Sequence, residues 1–359
     1  MSFDNLQKTA LLDTHIKHGG RIVDFGGWAL PVQFSSMIKE HKAVRNEAGL
    51  FDCSHMGQFF ISGPDAYAYV QHMISNDLDK IEAGRGLYSG LLYENGTFVD
   101  DIIVYLQDKE NIFIVVNAAN IDKDFAWFES HKGDYNVTLE NKSDEYSLLA
   151  LQGPTAPEFV EKFFPGIYTD MPTFGHAAIE FNGASGFVCR SGYTGEAGVE
   201  IIIKNEAAPA LFDAIVEAGV LPCGLGSRDT LRLEKGFSLY GHEITDETNA
   251  LEAGLAWVCG LKTKSDFIGK AALDKIKAEG KERKLIGFTV TERPIARDGE
   301  EFIDADGKVI GKITSATHSP ILKQGIGLGY LPVGYDQDTV QIKTARKVIT
   351  ATLCKRIFV

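Results

Sequence analysis

The chain has 359 residues, of which 44% are hydrophobic and 24% are charged, a composition typical of a globular protein with about two to three domains. Its formal net charge is -13, because 49 aspartates and glutamates outnumber 36 lysines and arginines. This charge disfavours nucleic acid as a general partner. No stretch approaches the roughly 18 apolar residues of a membrane helix, so we also expect no membrane insertion.

The amino-terminal segment is polar and contains Asp4 and Asp13, unlike a secretion signal or a transit peptide. The cytoplasm is therefore the expected location. The five cysteines form no C-x-x-C pair, and the nine histidines form no H-E-x-x-H motif. The sequence predicts neither a disulfide framework nor a metal site.

Two halves of the chain share a pattern, G-P-x-A-x-x-aromatic-V, which begins at Gly63 and again at Gly153. At both places a predicted strand ends in Gly-Pro and a helix follows, with Pro64 expected in the first turn of its helix. Two strands and a helix then follow in each half: 97–106, 112–117 and 121–131, then 186–192, 199–203 and 207–218. The order strand–helix–strand–strand–helix is most of a split β-α-β unit. It predicts an α+β protein with two related ferredoxin-like lobes facing each other across a cleft.

Short strands separated by turns predict a small antiparallel β-barrel or sandwich at the carboxy-terminal end. The predicted strands are 285–290, 308–313, 325–330, 339–343 and 348–353. A charged segment around Gly280 marks the expected boundary. We therefore predict a region 1–275 that contains both lobes, with a break near 140–145, and a barrel domain 276–359.

Three glycines, a tyrosine and two acids lie between Gly192 and Glu200. Such glycine density lets the backbone approach something flat or tightly packed. Glu200 falls in the strand that follows, and a carboxylate fixed on a strand can accept two N–H donors from a planar heterocycle. A hairpin loop with a surface acid is the alternative interpretation.

A second acidic signal lies in the apolar strand that contains Asp100 and Asp101. Side chains alternate along a strand, so Asp101 and Tyr105 share one face while Asp100 points to the other. One acid is expected to satisfy a structural group and the other to look into a cleft. An acid inside such a strand is costly unless it is satisfied, which makes this a candidate functional position.

A glycine turn at 224–226 leads into a predicted helix with Arg228 near its start, where the guanidinium can bind a carboxylate or a ring. The spacing is not G-x-G-x-x-G, so no dinucleotide fingerprint is present. Asp229 and Arg232, further along the helix, are typical of local ion pairs.

Several motifs in order resemble the T-protein family of the glycine cleavage system, nearly from end to end. They are Gly-Gly-Trp at 26–28, Phe-Asp-Cys-Ser-His-Met at 51–56, Leu-Tyr-Ser-Gly at 87–90, Val-Asp-Asp-Ile-Ile-Val at 99–104, Val-Asn at 116–117, Leu-Gln-Gly-Pro at 151–154, Gly-Tyr-Thr-Gly-Glu at 192–196 and Arg-Asp-Thr-Leu-Arg-Leu-Glu at 228–234. The resemblance implies a tetrahydrofolate-dependent aminomethyltransferase of two α+β lobes and a barrel. It also implies the reaction: the lipoyl arm of H-protein delivers an aminomethyl group, ammonia leaves, and 5,10-methylenetetrahydrofolate forms.

The resemblance assigns roles to individual residues. Asp101 resembles the essential aspartate near the folate N5 and N10 atoms, and Glu200 the glutamate that binds the pterin edge. The remaining positions that it places around the folate are Tyr193, Arg228, Met56, Tyr88, Tyr105, Asn117 and Arg297. A carboxylate of ordinary pKa is a weak base, so Asp101 is expected to stabilise positive charge rather than act as a full general base. His55 and His242 are spare candidates for proton transfer.

Two other functions compete with this interpretation. A folate-binding accessory protein of iron–sulfur maintenance would have Lys-Gly-Cys where this chain has Lys235-Gly236-Phe237. The folate domain of a flavin-dependent sarcosine or dimethylglycine dehydrogenase would need a flavin domain, for which there is no fingerprint. A standalone demethylase of the same fold stays open, because the donor pocket is not legible from sequence.

Overall fold

The computed structural model describes residues 3–359. The strands are β1 (Arg21–Phe25), β2 (Trp28–Gln33), β3 (Gly49–Asp52), β4 (Gly57–Ser62), β5 (Arg85–Leu92), β6 (Phe98–Leu106), β7 (Asn111–Val116), β8 (Thr138–Asn141), β9 (Tyr146–Gln152), β10 (His176–Phe181), β11 (Ala184–Cys189), β12 (Gly198–Lys204), β13 (Leu221–Pro222), β14 (Arg283–Val290), β15 (Glu301–Ile303), β16 (Val309–His318), β17 (Gly325–Pro332), β18 (Thr339–Lys343) and β19 (Val348–Cys354). The helices are α1 (Leu12–Lys17), α2 (Met37–Asn46), α3 (Ala66–Met73), α4 (Ile121–Ser130), α5 (Ala156–Phe163), α6 (Ala208–Glu217), α7 (Leu225–Glu234) and α8 (Lys270–Glu279). Across residues 3–359, no helix is both long enough and apolar enough to span a bilayer.

The chain divides into two compact units. The first contains the residues up to Val70, Leu78–Tyr88 and Ile102–Asp229. The second contains Gln71–Asp77, Ser89–Asp101 and Thr230–Val359. The predicted boundary between residues 275 and 276 falls inside α8, whose C-cap residue, Gly280, has a positive φ of 94°. The division into regions 1–275 and 276–359 stays a prediction.

The repeated Gly-Pro motif has the same backbone conformation in both halves. Gly63 and Gly153 have φ angles of 126° and 135°, which residues with side chains rarely adopt. A Cβ on Gly63 would lie 2.5 Å from the carbonyl oxygen of Asn136, and one on Gly153 would lie 2.3 Å from that of Glu47. Glycine is therefore required twice for the same reason, which supports a true internal repeat.

The helix that follows each motif begins two residues after the proline. α3 begins at Ala66 and α5 at Ala156, so Pro64 and Pro154 lie in the turn before the helix. The prediction that Pro64 occupies the first helical turn was therefore wrong. In both turns the backbone N–H of the first helical alanine donates to the carbonyl of the motif glycine, at 3.1 and 3.0 Å.

Each half contains one strand more than the sequence predicted. The observed order is β4-α3-β5-β6-β7-α4 in the first half and β9-α5-β10-β11-β12-α6 in the second. The sheets have the matching orders β5-β6-β7-β4-β8 and β10-β11-β12-β9-β3-β13. The missed strands were β5, which is interrupted by Gly86 and Gly90, and β10, which carries two alanines. Glycine and alanine are both depleted in strands, so neither segment gave a strand signal.

The six-stranded sheet is covered on one face by helices. Val199, Ile201 and Ile203 alternate along β12 and lie in one apolar cluster with residues of α5 and α6, such as Val160 and Leu211. All five are fully buried or nearly so. Because side chains alternate along a strand, the intervening residues of β12 face the opposite side of the sheet.

The second unit contains the predicted antiparallel barrel, which is confirmed as a closed sheet in the order β14-β17-β16-β15-β18-β19. Phe288 and Phe302 meet edge to face in its core, with ring centroids 5.4 Å apart. Gly327 and Gly329 on β17 make room for them: a Cβ would lie 2.3 Å from Phe288 and 2.6 Å from Phe302. β15, with only three residues, was not predicted.

Candidate active site

Glu200 lies on β12, on the sheet face away from the helices. The β-ladder places Cys189 of β11 and Ala150 of β9 directly opposite Glu200. The residue is 8% exposed. A rigid strand therefore holds the carboxylate, in the strand that the sequence analysis expected.

An aromatic layer covers part of the same face. Phe187 of β11 stacks on Phe113 of β7 with ring centroids 4.7 Å apart, and Tyr105 of β6 stacks on Phe113 at 4.6 Å. His176 of β10 meets Tyr105 edge-on at 5.6 Å. These residues all belong to the first unit. The layer brings the Tyr105 side chain, which is fully buried, to the sheet face that carries Glu200.

A chain of hydrogen bonds connects Tyr105 with Glu200 through Ser191. The Tyr105 hydroxyl donates to Ser191 Oγ at 2.9 Å, and Ser191 Oγ donates to Glu200 Oε2 at 2.6 Å. Burial, together with the nearby Cys189 and Glu200, raises the pKa of Tyr105 well above its ordinary value. The tyrosine therefore stays protonated and acts as a donor at physiological pH.

The glycine-rich segment packs around the buried side chain of Gln152. A Cβ on Gly192 would lie 1.9 Å from Gln152 Oε1. Gln152 Nε2 donates to the carbonyls of Ser191 and Val199, both at 3.1 Å, and Thr194 Oγ1 donates to Gln152 Oε1 at 2.9 Å. The tightly packed group that the glycines accommodate is therefore Gln152, which fixes both ends of the segment.

Arg228 lies near the start of α7, with its guanidinium carbon 4.9 Å from the ring centroid of Tyr193. Its Nη1 is buried and, among residues 3–359, has no hydrogen-bond partner. Burial is the main cause that raises the pKa of Cys53 to about 12. The charge of Arg228 opposes this shift, and the charge of Glu200 adds to it. Both charges therefore act on one thiol, and the guanidinium offers a buried donor that no described residue satisfies.

The two acids of β6 differ in burial, as strand alternation requires. Asp100 is fully buried. Burial raises the pKa of Tyr240 above its ordinary value, and the charges of Asp246 and Asp100 raise it further. Asp101 is partly exposed and, by alternation, shares a side of β6 with Ile103 and Tyr105. Asp100 is therefore the fully buried acid of the pair, and Asp101 is the more exposed one.

The other predicted residues lie at the ends of strands, within a strand and in a connecting segment. Met56 directly precedes β4 and Asn117 directly follows β7, and Gly57 pairs with Val116, so both residues lie at the same end of this antiparallel pair. Tyr88 lies on β5 and is half-buried. Arg297 belongs to the second unit, in the segment between β14 and β15, where its side chain is exposed. Its backbone N–H donates to Glu300 Oε2 at 2.9 Å.

The two spare histidines differ in their surroundings. Burial lowers the pKa of His55 to about 4, and its Nδ1 has no hydrogen-bond partner among the described residues. His55 packs edge-on against Phe25, with ring centroids 5.9 Å apart. His242 Nδ1 lies 3.0 Å from the carbonyl oxygen of Thr314 and is half-buried. His55 is therefore neutral at physiological pH.

Sequence reasoning missed Ser191, although this residue directly precedes the glycine-rich segment. A lone serine carries no signal by itself. The pairing of Cys189 with Glu200 between β11 and β12 brings Ser191 close to the carboxylate, and this register was not readable from the sequence.

Comparisons with known proteins agree with this architecture. A family model described as the GCVT N-terminal domain matches residues 11–263, and one described as the glycine cleavage T-protein C-terminal barrel domain matches residues 283–359. The aminomethyltransferase of Chlorobium luteolum is 47% identical over 330 residues, covering 90% of this chain and 89% of that protein. The aminomethyltransferase of Thermoanaerobacter pseudethanolicus is 44% identical and covers 99% of this chain and 98% of that protein.

A solved structure gives the same result. The glycine cleavage system aminomethyltransferase T from Bartonella henselae superposes with a TM-score of 0.93 at 30% identity, over 99% of this chain and 98% of that one. Fold and relatives together define an enzyme class, the aminomethyltransferases, which transfer one-carbon groups. Within this class, the chain belongs to the glycine cleavage T-protein family.

Proposed function

We propose that this enzyme takes the aminomethyl group from the lipoyl arm of an H-protein, releases ammonia and forms 5,10-methylenetetrahydrofolate. The proposal applies the family's reaction to this chain. Its partners are therefore a lipoylated H-protein and tetrahydrofolate as the acceptor substrate, and we infer that it acts in the cytoplasm.

The observation that carries the proposal is a pair of unsatisfied polar groups in the first unit. Glu200 Oε2 is held by Ser191, while Oε1 accepts no hydrogen bond from any residue within 3–359. Arg228 Nη1 is a buried donor for which the described part of the chain provides no acceptor. Buried polar groups are normally paired, so the unsatisfied donor of Arg228 favours a ligand, and Glu200 Oε1 is an acceptor that such a ligand could use.

Tetrahydrofolate fits these groups. The edge of its pterin ring offers N–H donors for a carboxylate and acceptor atoms for a guanidinium, and its ring is flat. Glu200 supplies the carboxylate, Arg228 the guanidinium and Tyr193 an aromatic face. We infer that these three residues bind and orient the pterin, with Met56, Tyr88, Tyr105, Asn117 and Arg297 as the further contacts that the family resemblance suggests.

Asp101 is the proposed catalytic residue. Positive charge develops on the transferred carbon as ammonia leaves, and a carboxylate fixed on a strand stabilises that charge without reorganising. When bound, tetrahydrofolate supplies the nitrogen atoms that accept the carbon. Asp101 also orients the attacking nitrogen, so that proximity adds to the electrostatic effect.

Ammonia release tests the proposal directly. Aminomethylated H-protein is incubated with the enzyme, with and without tetrahydrofolate, and H-protein without lipoate is the control. We expect rapid release that depends on both tetrahydrofolate and the lipoyl arm. Absence of release while folate still binds in a parallel titration would move the function to a demethylase or a folate-binding accessory protein.

A further inference from the structure

The Ser191 hydroxyl has two polar neighbours, one that donates a hydrogen bond to it and one that accepts from it. One is the Tyr105 hydroxyl at 2.9 Å and the other is the Glu200 Oε2 atom at 2.6 Å. A third contact, from Ser191 Oγ to the carbonyl oxygen of Cys189, is much longer at 3.5 Å. The serine therefore bridges a buried tyrosine and the carboxylate.

The direction of this chain follows from proton counting. A hydroxyl has one proton to donate, and an ionised carboxylate can only accept. Ser191 must therefore donate to Glu200, and its remaining lone pairs accept the proton of Tyr105. Every donor in the chain points toward the carboxylate, and each bond polarises the next.

The geometry leaves the two oxygens of Glu200 unequal. Oε2 is held by the serine, whereas Oε1 accepts no hydrogen bond from the described residues. The carboxylate plane is fixed by two attachments, the β12 backbone and the Ser191 hydroxyl. A carboxylate without the second attachment would rotate about its terminal torsion, which is broad for glutamate.

We propose that Ser191 is a positioning residue for ligand binding: it holds one oxygen of Glu200, Tyr105 holds the serine hydroxyl in turn, and the other oxygen of Glu200 is thereby presented to the pterin. This inference rests on the proposed function. It gives Tyr105 a supporting role in place of a direct ligand contact through its hydroxyl, because that hydroxyl already donates to Ser191.

The test is tetrahydrofolate binding by the full chain, measured by titration across a range of pH. In Ser191→Ala the carboxylate loses a donor that favours its charged form. We expect affinity at neutral pH to fall by about tenfold. We also expect the acid limb of the binding profile, where affinity declines, to move to higher pH.

Tyr105, Cys189 and Cys53 face Glu200 from β6, β11 and the segment after β3, and burial raises the pKa of all three above the ordinary value. They stay protonated over the acid limb. Arg228 stays charged there, since guanidinium groups do not deprotonate in proteins.

Two further variants separate positioning from folding. Ser191→Thr keeps the hydroxyl and should restore most of the affinity and the original acid limb, whereas Tyr105→Phe should weaken binding by about threefold. Ser147→Ala is the matched control: Ser147 is a buried serine on β9 of the same sheet, and its hydroxyl donates to Asn205 at 2.7 Å. This control should leave both affinity and acid limb unchanged.

Two histidines nearby also titrate at acid pH: His176 meets Tyr105 edge-on at 5.6 Å, and burial lowers the pKa of both His176 and His55 to about 4. Their contribution is common to the Ser191 and Ser147 variants, so the comparison between these variants isolates the effect of the Ser191 hydroxyl.

A failure of the proposed function and a failure of the Ser191 role give different results. If the unmodified enzyme binds no tetrahydrofolate, the proposed function fails. If it binds, but Ser191→Ala shows the same pH profile as Ser147→Ala, the positioning role of Ser191 is wrong and the proposed function stands. Failure of Ser191→Thr to restore the profile would likewise overturn the role of the hydroxyl.

Discussion

Two buried glutamates, one in each compact unit, differ in how completely their oxygens are satisfied. Glu243 in the second unit accepts from Arg232 Nη1 at 2.9 Å, from the Leu239 N–H at 3.1 Å and from Thr314 Oγ1 at 2.5 Å. Both of its oxygens are occupied and it is fully buried. Among the described residues, Glu200 in the first unit has a single hydrogen-bond donor on one oxygen and none on the other.

The arginines of α7 show the same contrast. Arg232 is fully buried and donates to Glu243, to Ser315 Oγ at 2.8 Å and to the Phe237 carbonyl at 3.1 Å. Arg228 lies four positions earlier, and its Nη1 has no partner within the described residues. Polar groups that stabilise a fold are satisfied by the fold, whereas groups left open are candidates for a ligand.

The largest effect is expected at the satisfied pair. Arg232→Ala leaves the Glu243 carboxylate buried and uncompensated, so the free energy of unfolding should fall by about 3–5 kcal/mol. Chemical denaturation measures this. Arg228→Ala removes no ion pair to any residue within 3–359, so it is the matched variant and should cost less than about 1 kcal/mol. Equal losses of unfolding free energy in the two variants would contradict the contrast between Arg232 and Arg228.

A third acid, Asp101, allows the rate of transfer to be separated from the affinity for folate. Asp101→Asn removes the charge that stabilises the transition state, so transfer should slow by about 100-fold or more. Folate affinity should stay within about tenfold, which corresponds to roughly 1.4 kcal/mol. Single-turnover ammonia release and a folate titration measure the two quantities. Loss of binding with turnover intact would contradict the role of Asp101.

The fully buried neighbour serves as the control for that variant. Asp100→Asn changes the same charge on the opposite face of β6. Its effect should be on the free energy of unfolding, because a buried acid acts mainly through its structural partners. A comparable loss of transfer without destabilisation would mean that the two acids exchange roles.

The open glutamate should affect binding rather than folding. Glu200→Ala removes the acceptor for the pterin donors, and we expect folate affinity to fall between about tenfold and 100-fold. Glu243→Ala, its counterpart in the second unit, should instead destabilise the protein. Unchanged affinity in Glu200→Ala would place the pterin elsewhere.

The smallest expected effect concerns pH. Burial lowers the pKa of His176 to about 4, so this histidine is neutral in the folded protein while it takes up a proton near pH 6.5 in the unfolded chain. The unfolded state thus binds more protons between these values, and stability should fall as the pH drops from about 6.5 toward about 4. His176→Phe, which suits the aromatic layer, should remove a share of that loss worth roughly 1 kcal/mol. Denaturation curves at several pH values would show this; an unchanged slope would contradict it.

Repeats and alternating patterns in the sequence were enough to predict most of the fold. The repeat of Gly63 and Gly153 and the alternating strands of the barrel predicted the mixed architecture and the closed carboxy-terminal sheet, which the structure and the relatives confirm. In the repeats and the barrel, β5, β10 and β15 were missed, because glycine, alanine or short length removed their signal. Tertiary pairing, rather than local propensity, forms these three strands. The strands β1, β2, β3, β8 and β13 were not predicted either.

Less of the candidate site could be predicted. Strand alternation separated Asp101 from Asp100 and placed Tyr105 on the side of Asp101, because both are properties of one strand. The bridge through Ser191 and the brace through Gln152 depend on contacts between distant segments, which no local pattern encodes. The roles assigned to Asp101 and Glu200 stay predictions until the variants are measured.

The barrel also has a consequence for how the protein is made. Its sheet closes where β14 pairs with β19, so that residues near Gly287 lie opposite residues near Cys354. Pairing across such a sequence separation forms late in folding, because the intervening chain must be ordered first. During synthesis, β14 therefore emerges long before its second neighbour exists. Until β19 arrives, β14 presents an unpaired edge of the kind that promotes aggregation.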